Sequence, residues 1–325
     1  MSPSAKILMV TGASGFLGSE ILRLALASGW KVRALVRNPK WKVDGVETVR
    51  GDITDLKMLC KACEDVSVVV HSAGLAHIFA PEAKDVDRFL AVNEAGTANV
   101  VAAATESGVP KVVLVSSVSV YGNHAGEECD ETAPCNPRGP YAMSKWLGEQ
   151  HAIELIMADA LGSLTILRLA TIYGEGDRGN VSKLIGALES GRFVWPGNGL
   201  NRKSLIYKED AARACLRAAE GGVPGIDIFN VSAQSATMLE IVSTICQALG
   251  RPVPRLGIPH FILRAAISVS RGLGDPGQFG QRLEKFTRDD VYNSSKFETA
   301  FDFYPATSLL EGIRKTVGKY PTERA

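Results

Sequence analysis

Hydrophobic residues in the first half of the chain fall into short continuous runs that alternate with longer amphipathic stretches. Residues 7–10 form such a run, and after the glycines that follow, Leu17, Ile21 and Leu24 share one helical face until Gly29. Further apolar runs of strand length lie at residues 32–36, 46–49, 66–70, 112–115 and 164–169. Strands that are apolar on both faces and alternate with helices are typical of a parallel sheet covered on both sides. The pattern therefore predicts a doubly wound α/β fold.

Helical stretches lie between and after these runs. Helices are predicted over residues 56–63 and 89–105, and the second of them ends at Gly108. Later in the chain, Thr237 and Glu240 have the spacing of a capping box before an apolar stripe. We expect a helix to begin there and to end at the next glycine, residue 250.

The composition changes after residue 169 and predicts a second, smaller lobe. Glycine and proline become frequent there, while residues 226–230 form one more apolar run that we expect to return to the main sheet. The predicted division is interleaved. The main domain covers residues 1–175 with a returning segment near 204–232, and the smaller, substrate-binding lobe covers residues 176–203 and 233–325.

Charge and composition narrow the possible partners. The 325 residues include 36 Lys and Arg against 35 Asp and Glu, a net charge of +1. Proteins that bind nucleic acid usually carry a clustered basic excess, so we expect small molecules or copies of this chain as partners.

Residues 258–269 are apolar but too short to cross a bilayer, and we interpret them as an amphipathic helix over a core. With no export-signal pattern at the start, the sequence predicts a cytoplasmic protein without membrane contact.

The six cysteines do not suggest a metal site or disulfide bonds. Only Cys60 and Cys63 form a CxxC pair, and neither a second pair nor paired histidines follow to complete a zinc site. Cys129 and Cys135 border one loop and could pair, but the predicted compartment favours free thiols. We therefore predict no metal.

A glycine turn follows the first strand. Gly12, Gly15 and Gly18 form a G-x-x-G-x-x-G pattern between that strand and the first helix. The first glycine allows a tight turn, the second lets the backbone approach a pyrophosphate, and the third lets the helix pack close to the strand. The sequence therefore predicts a dinucleotide-binding site in a Rossmann-type fold, with Phe16 and Leu17 at the start of the helix among its contacts.

The end of the second predicted strand bears on the choice of cofactor. Rossmann-type sites contact the adenine ribose about 20 residues after the glycine turn, and Arg37 occupies that position here. A carboxylate would accept hydrogen bonds from a free 2′-hydroxyl, whereas a guanidinium can pair with a 2′-phosphate. Arg37 therefore favours NADP, with NAD possible; a solvated surface arginine is the alternative.

Further motifs follow in order along nearly the whole chain. They are Gly51-Asp52-Ile53, His71-Ser72-Ala73-Gly74-Leu75, Val92-Asn93-Glu94-Ala95-Gly96-Thr97-Ala98-Asn99, Val115-Ser116-Ser117-Val118-Ser119-Val120-Tyr121-Gly122, Pro140-Tyr141-Ala142-Met143-Ser144-Lys145 and Arg168-Leu169-Ala170-Thr171-Ile172-Tyr173-Gly174. Together with the glycine turn they resemble the extended short-chain dehydrogenase/reductase family, which includes NAD-dependent sugar epimerases, dehydratases and reductases. The resemblance adds to the expected cofactor site the residues Asp52, Ile53, Ser72, Ala73, Gly74 and Asn93.

Three residues are candidates for catalysis. Tyr141 and Lys145 are four residues apart on a predicted helix, so their side chains share one face. A tyrosine hydroxyl titrates near pH ~10, and we expect the adjacent ammonium to lower that value and make Tyr141 a proton shuttle. The third catalytic member implied by the resemblance is Ser117, at the end of a strand, which would hydrogen-bond to the reacting oxygen. Tyr141 and Lys145 are also expected to contact the cofactor.

Departures from the family pattern reduce the number of reactions that we expect this chain to catalyse. Sugar 4,6-dehydratases carry an Asp-Glu pair after the serine or threonine, whereas this chain has Val118 and Ser119. Dehydration is therefore not expected, and hydride transfer at one carbon remains, as in a 4-epimerase or a ketone reductase. On the substrate side, Thr171 replaces the asparagine common in nucleotide-sugar enzymes. Arg202 and Lys203 are either a clamp for a diphosphate or part of a solvated loop.

These observations lead to one main hypothesis and two alternatives. We expect an NAD(P)-dependent oxidoreductase or epimerase that transfers hydride at a hydroxyl or keto carbon, with a nucleotide-linked sugar as the favoured substrate. A 3β-hydroxysteroid or flavonoid-type ketone reductase remains an alternative, and so does a non-catalytic dinucleotide-sensing module. The resemblance also implies a homodimer, in which the helices at 89–105 and 141–160 pair with their copies.

Overall fold

A parallel sheet of seven strands forms the centre of the protein. The computed structural model describes residues 6–76, 83–124, 128–159, 162–222, 224–254 and 286–318. Its strands are β1 (Ile7–Thr11), β2 (Lys31–Val36), β3 (Val46–Arg50), β4 (Val68–His71), β5 (Lys111–Ser117), β6 (Ser163–Leu169), β7 (Thr171–Tyr173), β8 (Arg202–Lys203), β9 (Leu205–Tyr207), β10 (Ile226–Val231) and β11 (Ala236–Thr237). The order across the main sheet is β10-β6-β5-β4-β1-β2-β3, and its pairings are parallel. The remaining strands pair as β7 with β9 and β8 with β11.

Helices cover both faces of this sheet. The described helices are α1 (Phe16–Ala27), α2 (Leu56–Cys63), α3 (Ala83–Phe89), α4 (Gly96–Glu106), α5 (Pro140–Asp159), α6 (Asn180–Glu189), α7 (Lys208–Glu220), α8 (Met238–Leu249), α9 (Ser295–Phe301) and α10 (Leu309–Gly318). One face packs against α1 and α7 through residues such as Ile21 and Ala211. The other packs against α2, α4 and α5 through Leu59, Val100 and Ala152. The predicted doubly wound α/β fold of the Rossmann type is confirmed.

The strand order reverses beside β1. The chain runs from β1 outward to β2 and β3, then crosses back to β4 on the other side of β1. In open parallel sheets, ligands bind at the carboxyl ends of the strands where the order reverses, because the connecting loops diverge there and leave a crevice. The glycine turn after β1 and the segment after β4 border this crevice.

The returning strand β10 and the two ends of α8 lie where the sequence predicts them. β10 lies beside β6 in the main sheet, as expected for residues 226–230. At the start of α8, Thr237 Oγ1 accepts a hydrogen bond from Glu240 N at 3.1 Å, while Glu240 Oε2 accepts one from Thr237 N at 2.7 Å. Gly250 ends the helix in the left-handed conformation, with φ +64°. The capping box and the C-cap are therefore confirmed, while the predicted domain boundaries stay a prediction.

A second hydrophobic core lies outside the main sheet. Ile185 of α6, Ile245 of α8 and Ile313 of α10 are buried in it together with Trp195 and Tyr207. Because β9 and α7 follow each other directly, this core connects to the sheet through the segment that carries Tyr207.

The helix predicted over residues 89–105 differs from the observed one. The helical stretch begins earlier, with α3, and contains a π-helical segment, Leu90–Ala95, before α4. A hydrophobic pattern with a single period of 3.6 residues does not mark where the hydrogen bonding changes from i→i+4 to i→i+5. Such turns are frequent at functional sites, and this one carries Asn93.

Other expectations concern the cysteines and the membrane. All six cysteines carry free thiols, including Cys129 and Cys135. Among the described residues, no helix combines the length and apolar character needed to span a bilayer. The amphipathic helix predicted at residues 258–269 lies outside the described residues.

Candidate active site

The glycine turn has the predicted geometry. Gly12 adopts φ +70°, a region that favours glycine, and Gly15 N donates to Gly12 O at 2.8 Å. A Cβ atom on Gly18 would lie only 2.1 Å from Gly12 O, so the third glycine lets α1 begin against the turn. The first turn of α1 carries no acidic side chain and, in the part of the chain that is described, no side-chain cap. Its N–H groups, beginning with Phe16 and Leu17, are therefore available to an anion.

The segment after β4 is fastened to this turn. Ser72 Oγ donates to Thr11 O at 3.0 Å, and Ala73 N donates to Thr11 Oγ1 at 3.2 Å. A Cβ atom on Gly12 would lie 2.7 Å from Ala73 Cα, so the two backbones are in contact. The structure thus brings Ser72 and Ala73 next to the glycine turn, while the role of Ser72, Ala73 and Gly74 in cofactor binding stays a prediction.

A buried histidine continues this connection into the sheet. His71 Nδ1 lies 2.7 Å from Thr11 Oγ1, and Nε2 lies 3.0 Å from Thr97 Oγ1. Thr97 Oγ1 donates its own proton to Asn93 O at 2.7 Å, so it accepts from His71 Nε2, and Nδ1 accepts from Thr11. Burial, with a smaller effect of the Lys145 charge, lowers the pKa of His71 to about 3. His71 is therefore neutral near pH 7 and has one defined tautomer.

Asn93 links the π-helical segment to two other elements. Its Oδ1 accepts from Leu75 N at 2.7 Å, and its Nδ2 donates to Leu75 O at 3.0 Å and to Ser144 Oγ at 3.0 Å. The predicted cofactor residue thus joins the segment after β4 to the helix that carries Tyr141. Its side chain acts here through Leu75 and Ser144.

The three candidate catalytic residues meet where β5 and α5 pack together. Ser117 ends β5, where its Oγ accepts a hydrogen bond from Ser119 N at 3.2 Å and its side chain faces that of Tyr141 closely enough to affect the pKa of the tyrosine. Lys145 lies one turn further along α5 and donates from Nζ to Val115 O at 2.7 Å. Phe89 holds the other side of the tyrosine ring in an edge contact, with 6.1 Å between ring centroids. The arrangement leaves Tyr141 partly exposed and Lys145 buried.

The acid–base properties of the pair differ from the expectation. Burial raises the pKa of Tyr141, and the hydrogen bond with Ser117 offsets part of that rise. The prediction that Lys145 lowers the pKa of Tyr141 is wrong for this arrangement, because the Lys145 ammonium is directed to Val115 O instead. Burial also lowers the pKa of Lys145 to about 8, although the Glu149 charge opposes the change. Ser117 is thus the residue that favours the tyrosinate here.

The adenine end of the predicted cofactor site lies at the ends of β2 and β3. Arg37 directly follows β2 and is exposed. Asp52 Oδ1 accepts hydrogen bonds from Thr54 N and Thr54 Oγ1, both at 3.0 Å, and so shapes the turn after β3. Ile53 is buried against Gly96, where a Cβ atom would lie 2.6 Å from Ile53 Cδ1. These three residues lie at one edge of the sheet, away from Ser117 and Tyr141.

The predicted substrate residues are only partly brought together. Thr171 begins β7 and is exposed, while Arg202 and Lys203 form β8. Lys203 Nζ donates to Asp290 Oδ2 at 2.7 Å, and Arg288 Nε donates to Asp290 Oδ1 at 2.8 Å. We call Lys203, Arg288 and Asp290 the basic cluster. Each cation in it already pairs with the chain's own carboxylate.

A known protein family matches this chain over residues 8–232, well over half its length; the family is described as the NAD dependent epimerase/dehydratase family. The chain belongs to the epimerase/dehydratase family. It is accordingly an NAD(P)-dependent enzyme of the extended short-chain dehydrogenase/reductase type, and the predicted resemblance is confirmed.

Relatives within and around the epimerase/dehydratase family carry out related chemistry. The N-acetyl-alpha-D-glucosaminyl-diphospho-ditrans,octacis-undecaprenol 4-epimerase of Escherichia coli O157:H7 is 30% identical, over 78% of this chain and 75% of the relative. The 2-alkyl-3-oxoalkanoate reductase of Stenotrophomonas maltophilia is 28% identical, over 95% of this chain and 97% of the relative. Among solved structures, MoeE5 in complex with UDP-glucuronic acid and NAD is 27% identical with TM-score 0.77, over 96% of this chain and 98% of that one.

Two features of this epimerase/dehydratase family member were not identified from the sequence. Glu149 and Arg168 form a buried ion pair behind Tyr141, with 2.7 Å between Arg168 Nη2 and Glu149 Oε2. Arg168 interrupts an apolar run of strand length, and this could have indicated that a buried acidic partner pairs with it. The pairing of Lys203 with Asp290 had no such indication, because the two residues are far apart in sequence and neither interrupts an apolar pattern.

Proposed function

We propose that this enzyme reversibly oxidises a hydroxyl-bearing carbon of a nucleotide-linked sugar, as an epimerase does. The observation that carries the proposal is that Ser117, Tyr141 and Lys145 meet where β5 packs against α5, with Lys145 Nζ bonded to Val115 O and the Ser117 side chain favouring ionisation of Tyr141. Relatives that act on or bind diphosphate-linked sugars support the substrate class.

Each residue has one role in this proposal. Tyr141 removes the hydroxyl proton of the substrate and later returns it, and Ser117 donates a hydrogen bond to the reacting oxygen. Buried Lys145 carries its positive charge one helical turn from Tyr141 below pH 8, near which it titrates, and there it would attract the hydroxyls of a bound cofactor. A nicotinamide cofactor held at the glycine turn would supply a reversible hydride acceptor for the substrate carbon. The glycine turn fits the pyrophosphate of that cofactor, since the first turn of α1 carries no acidic side chain and, among the described residues, no side chain caps its N–H groups.

A melting-temperature screen tests the substrate class. The protein is heated with NAD or NADP alone, and then with the cofactor plus UDP-linked and dTDP-linked sugars. A ligand at about one hundred times its dissociation constant adds about 2.7 kcal/mol to the free energy of unfolding. We expect at least one nucleotide sugar to raise the melting temperature beyond the cofactor alone. If none does, the sugar assignment is wrong.

A ketone reductase is the second candidate, because the reductase relative spans nearly the whole chain. The two reactions differ in their cofactor balance. An epimerase returns the cofactor to its starting oxidation state, whereas a reductase consumes one reduced cofactor for each product molecule. Following the absorbance of the reduced cofactor during turnover therefore separates them, and we expect no net consumption.

We also propose that NADP is the preferred cofactor, through a pair between Arg37 and the 2′-phosphate. Support comes from the place of Arg37, exposed directly after β2 at the adenine end of the site. Titrating the protein with both cofactors tests this. Equal or tighter binding of NAD would mean that Arg37 points to solvent.

The chain is further proposed to form a homodimer through the π-helical segment, α4 and α5. Ala91 and Ala95 are exposed on the π-helical segment, and Met143 and Met157 are exposed on α5, Met157 to 70%. Fourteen residues are almost four helical turns, so the two methionines share one face. Light scattering at micromolar concentration should give the mass of a dimer, and Met157→Lys should lower it. A monomer mass for the unchanged protein would contradict the proposal.

A further inference from the structure

The buried ion pair behind Tyr141 contacts the elements that carry all three candidate catalytic residues. Glu149 belongs to α5, and Tyr141, Lys145 and Glu149 follow at intervals of four residues on one face of that helix. Its partner Arg168 lies on β6, the strand next to the one that ends in Ser117. Both side chains are buried, and Arg168 Nε lies 3.2 Å from each carboxylate oxygen while Nη2 lies 2.7 Å from Oε2.

The same pair supports both ends of the turn that begins at Ser117. On the near side, Ser116 donates its hydroxyl proton to Glu149 Oε1. On the far side, the ring of Tyr121 lies against the Arg168 guanidinium, 4.8 Å from its centroid. Tyr121 OH then donates to Asn230 Oδ1 at 2.8 Å, which fixes the ring to β10. The turn Val118–Tyr121 and its preceding serine are thus held between two contacts to one ion pair.

Fold stability alone does not account for this arrangement. Desolvating two charges costs about as much as their pairing returns, so apolar replacements of buried pairs are often neutral or stabilising. The pair does supply directional bonds from α5 to β5 and β6, which apolar side chains lack. We infer that Glu149 and Arg168 are positioning residues that set the separation between the Ser117 and Tyr141 hydroxyls. The inference rests on the proposed function, because only the proposed chemistry requires that separation.

The test replaces the pair without leaving a buried charge. In Glu149→Met/Arg168→Met the helix and strand can still pack, but the bonds to Ser116 and the contact with Tyr121 are lost. We expect an unchanged melting temperature and unchanged NAD affinity, with kcat lowered about a hundredfold, the size of effect that a 1 Å misplacement can have. Arg168→Lys keeps the charge but loses the planar fork, and should lower kcat by a smaller factor without raising KM.

Asp210→Asn is the matched control, since Asp210 is a buried carboxylate away from Ser117. It accepts from Ala306 N at 3.2 Å and from Thr307 N at 2.9 Å. We expect a lower melting temperature but wild-type kcat. Turnover is followed with the nucleotide sugar that the melting screen selects, starting with UDP-glucose.

The outcomes separate the two proposals. Wild-type kcat in both the double variant and Arg168→Lys would overturn the positioning role while leaving the proposed function intact. An equal loss of kcat in Asp210→Asn would also overturn it, because the effect would then follow general destabilisation. Full activity in Tyr141→Phe would instead overturn the proposed function, and the positioning role with it.

Discussion

Two regions of the molecule are candidates for phosphate binding: the glycine turn, which we call the cofactor end, and the segment of Arg202 and Lys203, which we call the substrate end. They are built differently. The cofactor end offers backbone N–H groups at the start of α1, whose first turn carries no acidic side chain. The substrate end offers Lys203 and Arg288, and both already pair with Asp290. At the first end the donors are free for a ligand; at the second, a ligand has to compete with the chain's own carboxylate.

This difference predicts different binding behaviour at the two ends. Backbone donors need no side-chain ordering, and the contacts between Gly12 and Ala73 fix them in place. An anion that binds the basic cluster gains only the difference in free energy between its own pairing with Lys203 and Arg288 and their existing pairing with Asp290. The partly exposed charges of the cluster are also screened by salt. We therefore expect NAD, which lacks the 2′-phosphate, to bind tightly and nearly independently of ionic strength, and sugar-diphosphate binding to be weaker and sensitive to salt.

The largest effect is expected where neither phosphate end is touched. Tyr141→Phe keeps the ring against Phe89 but removes the hydroxyl that would carry the proton. General acid–base groups contribute about 10²- to 10⁴-fold, so kcat should fall by that factor. Cofactor affinity, measured by titration, should stay near wild type.

Ser117→Ala serves as the companion to this change. It removes the hydrogen bond that lowers the pKa of Tyr141, so the tyrosine should ionise at higher pH and kcat should fall as well. If Tyr141→Phe keeps more than about a tenth of wild-type activity, the loss is smaller than a proton shuttle typically causes. That result would place the role elsewhere.

The next largest effect is expected at the adenine end of the cofactor site, where Arg37 lies. Arg37→Asp removes the proposed partner of the 2′-phosphate and adds a repelling charge. One charge-assisted hydrogen bond is worth roughly 1.5 to 3 kcal/mol, so the ratio of NADP to NAD affinity should fall by about ten- to a hundredfold. Arg50→Asp, at the neighbouring strand end, is the control with the same change of charge. An equal shift in both variants would assign the preference to net charge at this edge.

A smaller effect is expected from filling the space under the glycine turn. Gly18→Ala places a Cβ atom where only 2.1 Å separates it from Gly12 O, so the turn has to move. Overpacking costs about 1 to 3 kcal/mol, and we expect about tenfold weaker NAD binding in a titration. Gly186→Ala is the control, because nothing lies within 4 Å of its Cβ position in α6. Unchanged NAD binding in Gly18→Ala would mean that the turn does not contact the cofactor.

The same two ends differ in how far the sequence predicts them. The glycine turn follows from local rules, since the positive φ of Gly12 and the close approach at Gly18 both require glycine within seven residues. The basic cluster depends on a segment 87 residues beyond Lys203, and no local pattern encodes which carboxylate a cation will meet. The fold was predictable for the same reason as the turn, because hydrophobic period and strand length are local properties. The direction of the Lys145 ammonium depends on packing between α5 and β5, and was therefore missed.

The smallest predicted effect tests the substrate end directly. Asp290→Asn removes the carboxylate that Lys203 and Arg288 share, while the backbone bond from Asp290 N to Arg202 O remains. Partly exposed ion pairs are worth up to about 1 kcal/mol, so freeing the cations should lower the KM of a nucleotide sugar about three- to fivefold and steepen its salt dependence. Asp289→Asn is the matched control, because Asp289 Oδ1 accepts from Arg202 N and an asparagine oxygen can do the same. If both variants lower KM equally, the gain reflects net charge alone. If Asp290→Asn raises KM, Asp290 instead orients the two cations for the substrate, and the cofactor end and the substrate end are more alike than their contacts suggest.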